Sequence, residues 1–447
     1  MPNSSLDPTA EVTGLLQELI RNACVNDGSP ASGQERRNAE VLRDLLAPSG
    51  LAMETYEPVP GRQSLLVRWE GSDRAAPTLL LMGHTDVVPV NPEGWARDPF
   101  AAELVDGWVW GRGAIDMLNL TASMAVATRR LASSGWRPRG TLLFLAVADE
   151  EAGGDHGARW LVENRADAVR ADYVLTESGG VPLVTPQGTR LVTFVGEKGA
   201  HWVRMTVRGT AGHGSRPLRT DNALVKAAEV VHRLAELRPA PLITDSWRNS
   251  VALMGLDDDL SAALTDPDRV WAAIDELPLD LARTAHAATH LTVAPTVAHG
   301  GTKTNVIPDR VVLEVDMRTL AGQTGDDVDD LLNRALGDLR GEVELSWIQR
   351  DEASITELDN PLWEAMTRAA AKLRPGATLL PTVASGGTDA RFFRRLGIPA
   401  FGFGLYSDRM SLAQWSSMFH ASDERVDQES LRLSVMVWEA IARELLS

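Results

Sequence analysis

The stretch LMGHTDVVPV, residues 81–90, ends an apolar run with a histidine and a carboxylate two residues apart, His84 and Asp86. One explanation is a simple turn, because Gly, Asp and Pro commonly punctuate chains. The other is a metal site, since a metal-bound imidazole usually donates its second N–H to a carboxylate, and Asp86 stands where it could accept that bond from His84. The rest of the sequence is needed to distinguish a simple turn from a metal site.

Apolar runs of this kind alternate with helical segments in the first and last parts of the chain. The runs PTLLLMGH, GTLLFLAV, ADYVLT and IPAFGFG have the pattern of fully buried strands, and TASMAVATRRLASSG, ARWLVENRA, DARFFRRLG and NPLWEAMTRAAAKL have the pattern of helices. This alternation predicts an α/β fold with a mostly parallel sheet covered on both faces. Ligands of such sheets bind beyond the carboxyl ends of the strands, which is where His84 would lie.

The pattern changes near Lys198, where HWVRMTVRG alternates with a period of two, as a half-buried antiparallel strand does. The predicted order from there is β-α-β-β-α-β, which indicates a small ferredoxin-like α+β domain with two helices on one face of an open sheet. The acidic helical stretch 241–288 is interpreted as an insertion in it. We therefore predict an inserted domain over 198–352 within a catalytic domain formed by 1–197 and 353–447.

Length and composition narrow the class of protein. A chain of 447 residues exceeds one ordinary core, and its net charge of −17 argues against a nucleic-acid binder. No apolar stretch approaches the ~18 residues of a membrane span. The single cysteine, Cys24, leaves no disulfide framework or thiolate metal cluster within the chain. The start, MPNSSLDPTAEV, lacks the layout of a secretory signal, so a cytoplasmic location without membrane or nucleic-acid partners is expected.

Acidic residues and histidines stand where the predicted strands end or where helices begin. Taken singly, each has an ordinary explanation: an aspartate caps a helix, an acidic run forms a solvated loop, a glutamate accepts bonds in a glycine-rich turn, and a lone histidine packs without binding anything. The candidates are His84, Asp86, Asp116 in WGRGAIDM, Glu150 and Glu151 in VADEEAGG, Glu177 in LTESGG and, later, His420 in MFHASDE.

Taken together, the candidates indicate a metal centre. Several carboxylates delivered to one sheet edge would repel each other by several kcal/mol unless cations neutralised them. Nitrogen and oxygen ligands without thiolates suit Zn²⁺, with Co²⁺ or Mn²⁺ as substitutes. Two histidines and three carboxylates suffice for two ions if one carboxylate bridges them, and paired ions are a recurring device for hydrolysis.

The motifs occur in an order that resembles a known family. They are GHTDVVP, GRGAIDM, DEEAGG, ESGG, AGHGSRP, TKTNVIP, VDMR, SGGTDARF and the late His420. From about residue 10 to its end, the chain resembles the dinuclear-zinc metallopeptidases, which include aminoacylases, acetylornithine deacetylases, succinyl-diaminopimelate desuccinylases and glutamate carboxypeptidases. The resemblance implies a zinc-binding α/β catalytic domain interrupted by a small lid domain, through which two chains form a homodimer.

The resemblance also implies a role for each candidate near the metals. One ion would be bound by His84 and Glu177 and the other by Glu151 and His420, with Asp116 as the bridge. Asp86 would hold His84 in the correct tautomer, and Glu150 would be the general base. A carboxylate beside a metal-bound water is suited to take its proton and later pass it to the leaving amine.

Further residues are implied to contact the substrate. His213 in AGHGSRP and Asn305 in TKTNVIP would stabilise the oxyanion, and His213 is implied to act on the partner chain's site. Arg318 in VDMR would receive the substrate carboxylate, although an ion pair with Asp316 is an equally good explanation for it. The turn SGGT, with Gly387 and Thr388, would offer backbone N–H groups to the same end of the substrate.

One stretch departs from the family pattern. After DM the family commonly has lysine and glycine, whereas this chain has Leu118, Asn119 and Leu120. The departure removes no ligand, and it predicts a bulkier, more apolar wall behind Asp116.

The predicted function is metal-dependent hydrolysis of the amide bond of an N-acyl amino acid or small peptide with a free carboxylate. The long lid insertion and GHTDVVPV…EGW…DPF favour the aminoacylase and carboxypeptidase branch over the deacetylases and desuccinylases of amino-acid biosynthesis. An inert binding protein on the same fold is one alternative, but it would normally have lost a ligand or Glu150. A relative that runs the site toward amide synthesis is the other.

Overall fold

The computed structural model describes residues 7–447. Its helices are α1 (Thr9–Arg21), α2 (Arg36–Leu46), α3 (Leu118–Ser133), α4 (Ala158–Asn164), α5 (Ala223–Ala235), α6 (Asp245–Met254), α7 (Asp258–Leu264), α8 (Val270–Glu276), α9 (Leu279–Thr289), α10 (Gly325–Leu336), α11 (Pro361–Leu373), α12 (Ala390–Arg394), α13 (Leu412–Met418) and α14 (Gln428–Leu446). No helix within the described residues is long and apolar enough to cross a membrane.

The strands in the same part of the chain range from two to ten residues. They are β1 (Ala52–Tyr56), β2 (Ser64–Trp69), β3 (Thr78–His84), β4 (Leu104–Val105), β5 (Trp108–Trp110), β6 (Thr141–Val147), β7 (Tyr173–Thr176), β8 (Pro182–Thr185), β9 (Gly188–Glu197), β10 (Gly199–Arg208), β11 (Gly212–His213), β12 (Thr292–Gly300), β13 (Val306–Ile307), β14 (Arg310–Thr319), β15 (Val343–Asp351), β16 (Ser354–Ile355), β17 (Thr378–Ala384), β18 (Ala400–Gly402) and β19 (Arg425–Asp427).

The chain divides into two compact units. The first takes in the residues up to Val195 together with Thr356–Thr382 and Thr388–Ser447. The second consists of Gly196–Ile355 and the short segment Val383–Gly387.

The first unit is built on a sheet with the strand order β1-β2-β6-β3-β7-β18-β9. The central strands β6, β3, β7 and β18 run parallel, while β1, β2 and β9 pair antiparallel at the margins. Helices α3 and α14 pack on β3, and apolar residues of α4 and α12 share a core with the other face of the sheet. The prediction of a mostly parallel sheet covered on both faces is therefore confirmed at its centre.

The end of β3 lies very close to helix α3. A Cβ atom added to Gly83 would lie 2.4 Å from Oγ1 of Thr121. This distance is shorter than the contacts that Cβ atoms make in proteins, so a larger residue would not fit here. Thr121 in turn donates a hydrogen bond of 2.8 Å to the carbonyl of His84. The glycine in LMGH thus permits the close packing that holds the end of the strand.

The second unit contains a four-stranded antiparallel sheet with the order β12-β14-β10-β15. Helices α5 and α10 contribute to one apolar core with these strands, and the chain order β10-α5-β12-β14-α10-β15 is the predicted one. Helices α6 to α9 occupy the stretch interpreted as an insertion. Their apolar residues form a separate core, which includes Trp247, Val251, Leu264, Val270 and Ile274.

Candidate metal centre

Three parallel strands bring candidate residues to one edge of the first unit's sheet. His84 is the last residue of β3 and lies opposite Val147, the last residue of β6. Glu150 and Glu151 follow in a 3₁₀ turn, and Glu177 comes directly after β7. Because carboxyl ends of parallel strands share an edge, the buried apolar strands themselves set this arrangement.

The five predicted metal ligands lie together. Nε2 of His84 is 3.3 Å from Oδ1 of Asp116 and 3.8 Å from Oε2 of Glu177. Nε2 of His420 is 3.2 Å from Oδ2 of Asp116 and 3.2 Å from Oε2 of Glu151. In each of two groups, His84–Asp116–Glu177 and Asp116–Glu151–His420, the possible ligand atoms lie within 4.8 Å of one another. Asp116 belongs to both groups, with a different oxygen facing each histidine.

The donor set fits divalent metal. Every possible ligand atom is an imidazole nitrogen or a carboxylate oxygen, which suits Zn²⁺ and related ions. Oε1 of Glu151 is buried and has no hydrogen-bond partner among residues 7–447. An unpaired buried carboxylate oxygen is costly, and a cation beside it would remove that cost.

Asp86 contacts His84, but its carboxylate does more than the sequence indicated. Nδ1 of His84 lies 3.0 Å from the backbone carbonyl of Asp86 and 3.5 Å from the carboxylate. The carboxylate accepts hydrogen bonds from the backbone N–H groups of Glu150 and Glu151, at 3.3 and 3.1 Å. Asp86 therefore orients both the imidazole and the turn that carries the predicted base.

A buried polar network lies behind that turn, and the sequence analysis missed it. Arg62, which is 1% exposed, donates to Glu35 and Asp149 at 2.7 Å each. The amide of Asn26 donates to Asp149 at 3.2 Å and to Asp86 at 2.8 Å. The network thus connects an otherwise costly buried arginine to the carboxylate that holds Glu150 and Glu151 in place. The only sequence signal was Asp149, as the first letter of an acidic run.

Burial and hydrogen bonds shift the pKa values of the candidate ligands and of Glu150. Burial raises the pKa of Glu150 and of Glu151 to about 8 and that of Glu177 well above its ordinary value. Burial also opposes ionisation of Asp116, but hydrogen bonds from His420 and His84 hold its pKa below the ordinary value. Hydrogen bonds to Asp116 and Glu151 raise the pKa of His420 to about 10. A divalent cation bound among these carboxylates would lower their pKa values and favour their charged forms.

The residues that depart from the family pattern are accommodated in the interior. Leu118, Asn119 and Leu120 are each 1% exposed. The side chain of Leu118 occupies the space that a Cβ atom at Gly113 would need, and that of Leu120 occupies the corresponding space at Gly404. The side-chain amide of Asn119 donates a hydrogen bond of 2.9 Å to the hydroxyl of Tyr406. The extra bulk therefore fills space left by two glycines.

The second unit brings His213 and Asn305 together. Strands β11 and β13 pair His213 with Val306, and the backbone N–H of Gly214 donates to the carbonyl of Asn305 at 2.8 Å. Nδ1 of His213 accepts from the backbone N–H of Ser215 at 3.2 Å. The neutral imidazole therefore carries its proton on Nε2, and both the His213 and Asn305 side chains are exposed.

Arg318 makes the ion pair that the sequence left open as its alternative. Its Nε and Nη2 donate to the two oxygens of Asp316, at 2.7 and 3.1 Å, and its guanidinium lies over the ring of Trp202. Gly387 is exposed at the end of a short segment of the second unit, and Thr388 begins the next segment of the first. The substrate contacts proposed for these three residues stay predictions.

Comparisons with known proteins agree with the geometry. A family model described as peptidase family M20/M25/M40 matches residues 80–444. Aminoacylase-1 of Mus musculus is 27% identical over 99% of this chain and 97% of its own length. The N-fatty-acyl-amino acid synthase/hydrolase PM20D1 of Xenopus tropicalis is 28% identical over 85% of this chain and 75% of its own. Among solved structures, the M20 metallo-carboxypeptidase Sso-CP2 of Sulfolobus solfataricus shares the fold, with a TM-score of 0.76, 20% identity and coverage of 98% and 99%.

Proposed function

Since the chain belongs to peptidase family M20/M25/M40 and is a hydrolase of amide bonds, we propose that it cleaves N-acyl amino acids or small peptides with a free carboxylate. The observation that carries the proposal is the position of Asp116, whose two oxygens face His84 and His420. That arrangement suits a carboxylate bridging two ions. The similarity to aminoacylase-1 along nearly the whole of both chains supports an acyl amino acid as the substrate class.

The two groups of ligands would hold two divalent ions per chain, and the donor chemistry favours zinc, with cobalt or manganese as substitutes. When bound, such ions supply Lewis-acid polarisation of the scissile carbonyl and a water of lowered pKa. Asp116 would bridge the ions, and Asp86 would keep His84 in the tautomer that presents Nε2.

Glu150 is the proposed general base. It belongs to neither ligand group, whereas its neighbour Glu151 belongs to one, so its carboxylate is left available to take a proton from the attacking water. Asp86 holds its backbone N–H. After the amide carbon becomes tetrahedral, the same carboxyl group would deliver the proton to the leaving amine, so that no net proton is consumed in the step.

The oxyanion would be bound by residues of the second unit, and the substrate carboxylate by two residues of that unit together with Thr388 of the first. In the tautomer that Ser215 favours, Nε2–H of His213 is a donor suited to a developing oxyanion. Asn305 directly precedes Val306, the residue paired with His213. We propose that His213 acts in a homodimer formed through the second unit. Arg318, Gly387 and Thr388 are the proposed partners of the substrate carboxylate.

A panel of N-acyl amino acids and dipeptides, assayed by release of the free amine, tests the proposal. We expect hydrolysis of at least one class, and for Glu150→Gln a rate loss of about 10²–10⁴-fold with unchanged metal content. Acetylated and succinylated substrates in the panel separate the biosynthetic deacylases from the aminoacylase branch. Loss of a metal ion in Glu150→Gln would show that Glu150 is a ligand, and equal activity of the variant would rule it out as the base.

Amide formation is a second candidate, favoured by the similarity to a protein named as both synthase and hydrolase. The same positioned groups would catalyse the reverse reaction, because a catalyst lowers the barrier in both directions. Incubating the enzyme with high concentrations of a free acid and an amino acid, and measuring the N-acyl product, tests this direction. Product that forms with wild type and is lost in Glu150→Gln supports it, and no product above the uncatalysed rate contradicts it.

A further inference from the structure

Arg112 and Glu424 form a buried ion pair next to the metal ligands, and neither has a role in the proposed reaction. Their charged groups are 2.8 Å apart, and their side chains are 3% and 0% exposed. Removing two charges from water costs several kcal/mol per ion, and the pair's mutual attraction repays this only when further hydrogen bonds satisfy its remaining atoms. The partners in those further bonds therefore show which parts of the chain the ion pair holds in place.

Glu424 is bonded to the loop that carries the proposed bridging ligand. Its carboxylate accepts hydrogen bonds from the backbone N–H groups of Gly113 at 3.0 Å, Ile115 at 2.6 Å and Asp116 at 2.9 Å. Bonds from several backbone N–H groups to one ionised carboxylate are strong and directional. They fix the course of the main chain up to Asp116.

Arg112 is bonded to the loop that carries the exposed histidine ligand. Its guanidinium donates to the backbone carbonyls of His420 at 3.3 Å and Ala421 at 3.1 Å. His420 has a φ of +57°, uncommon for a residue other than glycine, and its side chain is 57% exposed. Apolar packing therefore contributes little to its position, and the bonds to its backbone must contribute more.

We propose that Arg112 and Glu424 are positioning residues that join the Asp116 loop to the His420 loop. They thereby set the affinity for the ion held by Asp116, Glu151 and His420. The proposal rests on the metal centre described under the proposed function. Groups that orient metal ligands typically change metal affinity by about 10–100-fold when they are removed. The ion held by His84, Asp116 and Glu177 should depend on the pair less, because two of its three ligands, His84 and Glu177, lie on or directly after buried strands.

Titration of the metal-free protein with Co²⁺, followed by visible absorption and calorimetry, tests the proposal. Glu424→Gln keeps the size of the side chain but removes its charge, and Arg112→Lys keeps a charge but loses the fork that reaches the His420 loop. In both variants we expect the Co²⁺ site of Asp116, Glu151 and His420 to weaken by about 10–100-fold. The other site should keep its affinity in Arg112→Lys and weaken less in Glu424→Gln, because it shares Asp116. Saturating Co²⁺ should restore most of the wild-type kcat, which it would not do for a general folding defect.

Glu103→Gln is the matched control. Glu103 forms an ion pair with Arg97 that is partly exposed to solvent, and within residues 7–447 neither of these two side chains is hydrogen-bonded to Asp116 or His420, so both Co²⁺ affinities should stay at the wild-type values. Two unchanged affinities in Arg112→Lys, or equal weakening of both sites, would overturn the inference. If Glu424→Gln does not fold, the Co²⁺ titration of Arg112→Lys alone tests the inference. Wild type that binds fewer than two Co²⁺ ions would instead contradict the metal centre, so the two failures are distinguishable.

Discussion

The two ends of the proposed metal centre are held in place by different physical means. His84 closes the buried strand β3, and its side chain is 1% exposed. His420 lies in a loop between α13 and β19, with a positive φ and a side chain that is 57% exposed. The first ligand is fixed by the packing of a sheet and the second by polar contacts to its backbone.

The position of a predicted ligand can therefore be fixed either by apolar packing or by hydrogen bonds to its backbone. Around His84 the apolar strands exclude water, so its position is determined together with the core and should survive most changes at the surface. Around His420 the main-chain bonds to Arg112 perform the same task without a surrounding core. Asp116 lies between the two and is itself held by Glu424. Three predictions, in order of decreasing effect, test this contrast.

The largest expected difference is in stability. His84→Ala leaves Asp86, Asp116 and Glu177 in buried surroundings without their imidazole partner, which typically costs about 3–5 kcal/mol in the free energy of unfolding. His420→Ala removes a side chain that is 57% exposed, but it also leaves Asp116 and Glu151 without their hydrogen-bond partner, so it should cost less than His84→Ala, about 1–3 kcal/mol. Urea unfolding of the metal-free variants measures both values, with elemental analysis of the loaded proteins as the control for ligand loss. Equal destabilisation by the two substitutions would contradict the view that His84 is part of the folded core and His420 is not.

His213 provides a contrast with the two histidines proposed to bind metal. It is exposed, lies in the second unit and belongs to neither ligand group. His213→Ala should reduce turnover by about 10²–10³-fold, equivalent to roughly 2.7–4 kcal/mol, and should leave the metal content unchanged. If the residue acts across a dimer, mixing His213→Ala with Glu150→Gln chains should restore part of the activity in mixed dimers. Confirmed subunit exchange without recovery, or an active monomer, would exclude action across the interface.

The smallest expected effect is on the pH dependence of metal binding. In the metal-free protein the pKa of His420 is raised to about 10, so the imidazole is protonated at neutral pH and must lose that proton to bind metal. Affinity for the ion at this end should therefore rise with pH, by about tenfold per unit below that pKa for each proton displaced. Calorimetry in buffers of different ionisation enthalpy counts the protons. His420→Ala should release fewer protons on loading, and an unchanged proton count would contradict the assignment.

Much of the fold followed from patterns within short segments. The apolar runs that end at His84, Val147 and Thr176 are strands β3, β6 and β7, and the period-two stretch after Lys198 is strand β10. These predictions succeeded because strand length, burial and alternation are properties of neighbouring residues. Because strands β3, β6 and β7 run parallel, their carboxyl ends share one edge of the sheet, and His84, Glu150 and Glu177 lie at that edge as predicted.

The structure added the partners of those residues, which no local pattern carried. The two bonds from the Asp86 carboxylate to Glu150 and Glu151, the link from Arg62 to Asp149, and the contact of Glu424 with Asp116 join positions far apart in the chain. A buried arginine looks the same in sequence as a solvated one. Arg318 illustrates the same limit, since its bidentate pair with Asp316 was only one of two explanations.

Hydrophobic periodicity in the sequence was sufficient to predict which residues stand at the ends of buried strands, because it depends on neighbouring residues and on the rules of parallel sheets. Those patterns predicted that His84, Glu150, Glu151 and Glu177 lie at one sheet edge, and the resemblance to a known family implied their roles and those of Asp116 and His420. The contacts that hold these predicted ligands in place became visible only in the folded molecule. Hydrogen bonds and ion pairs in the interior stabilise only when donor and acceptor meet at about 3 Å with water excluded, and that geometry is a property of the packed molecule.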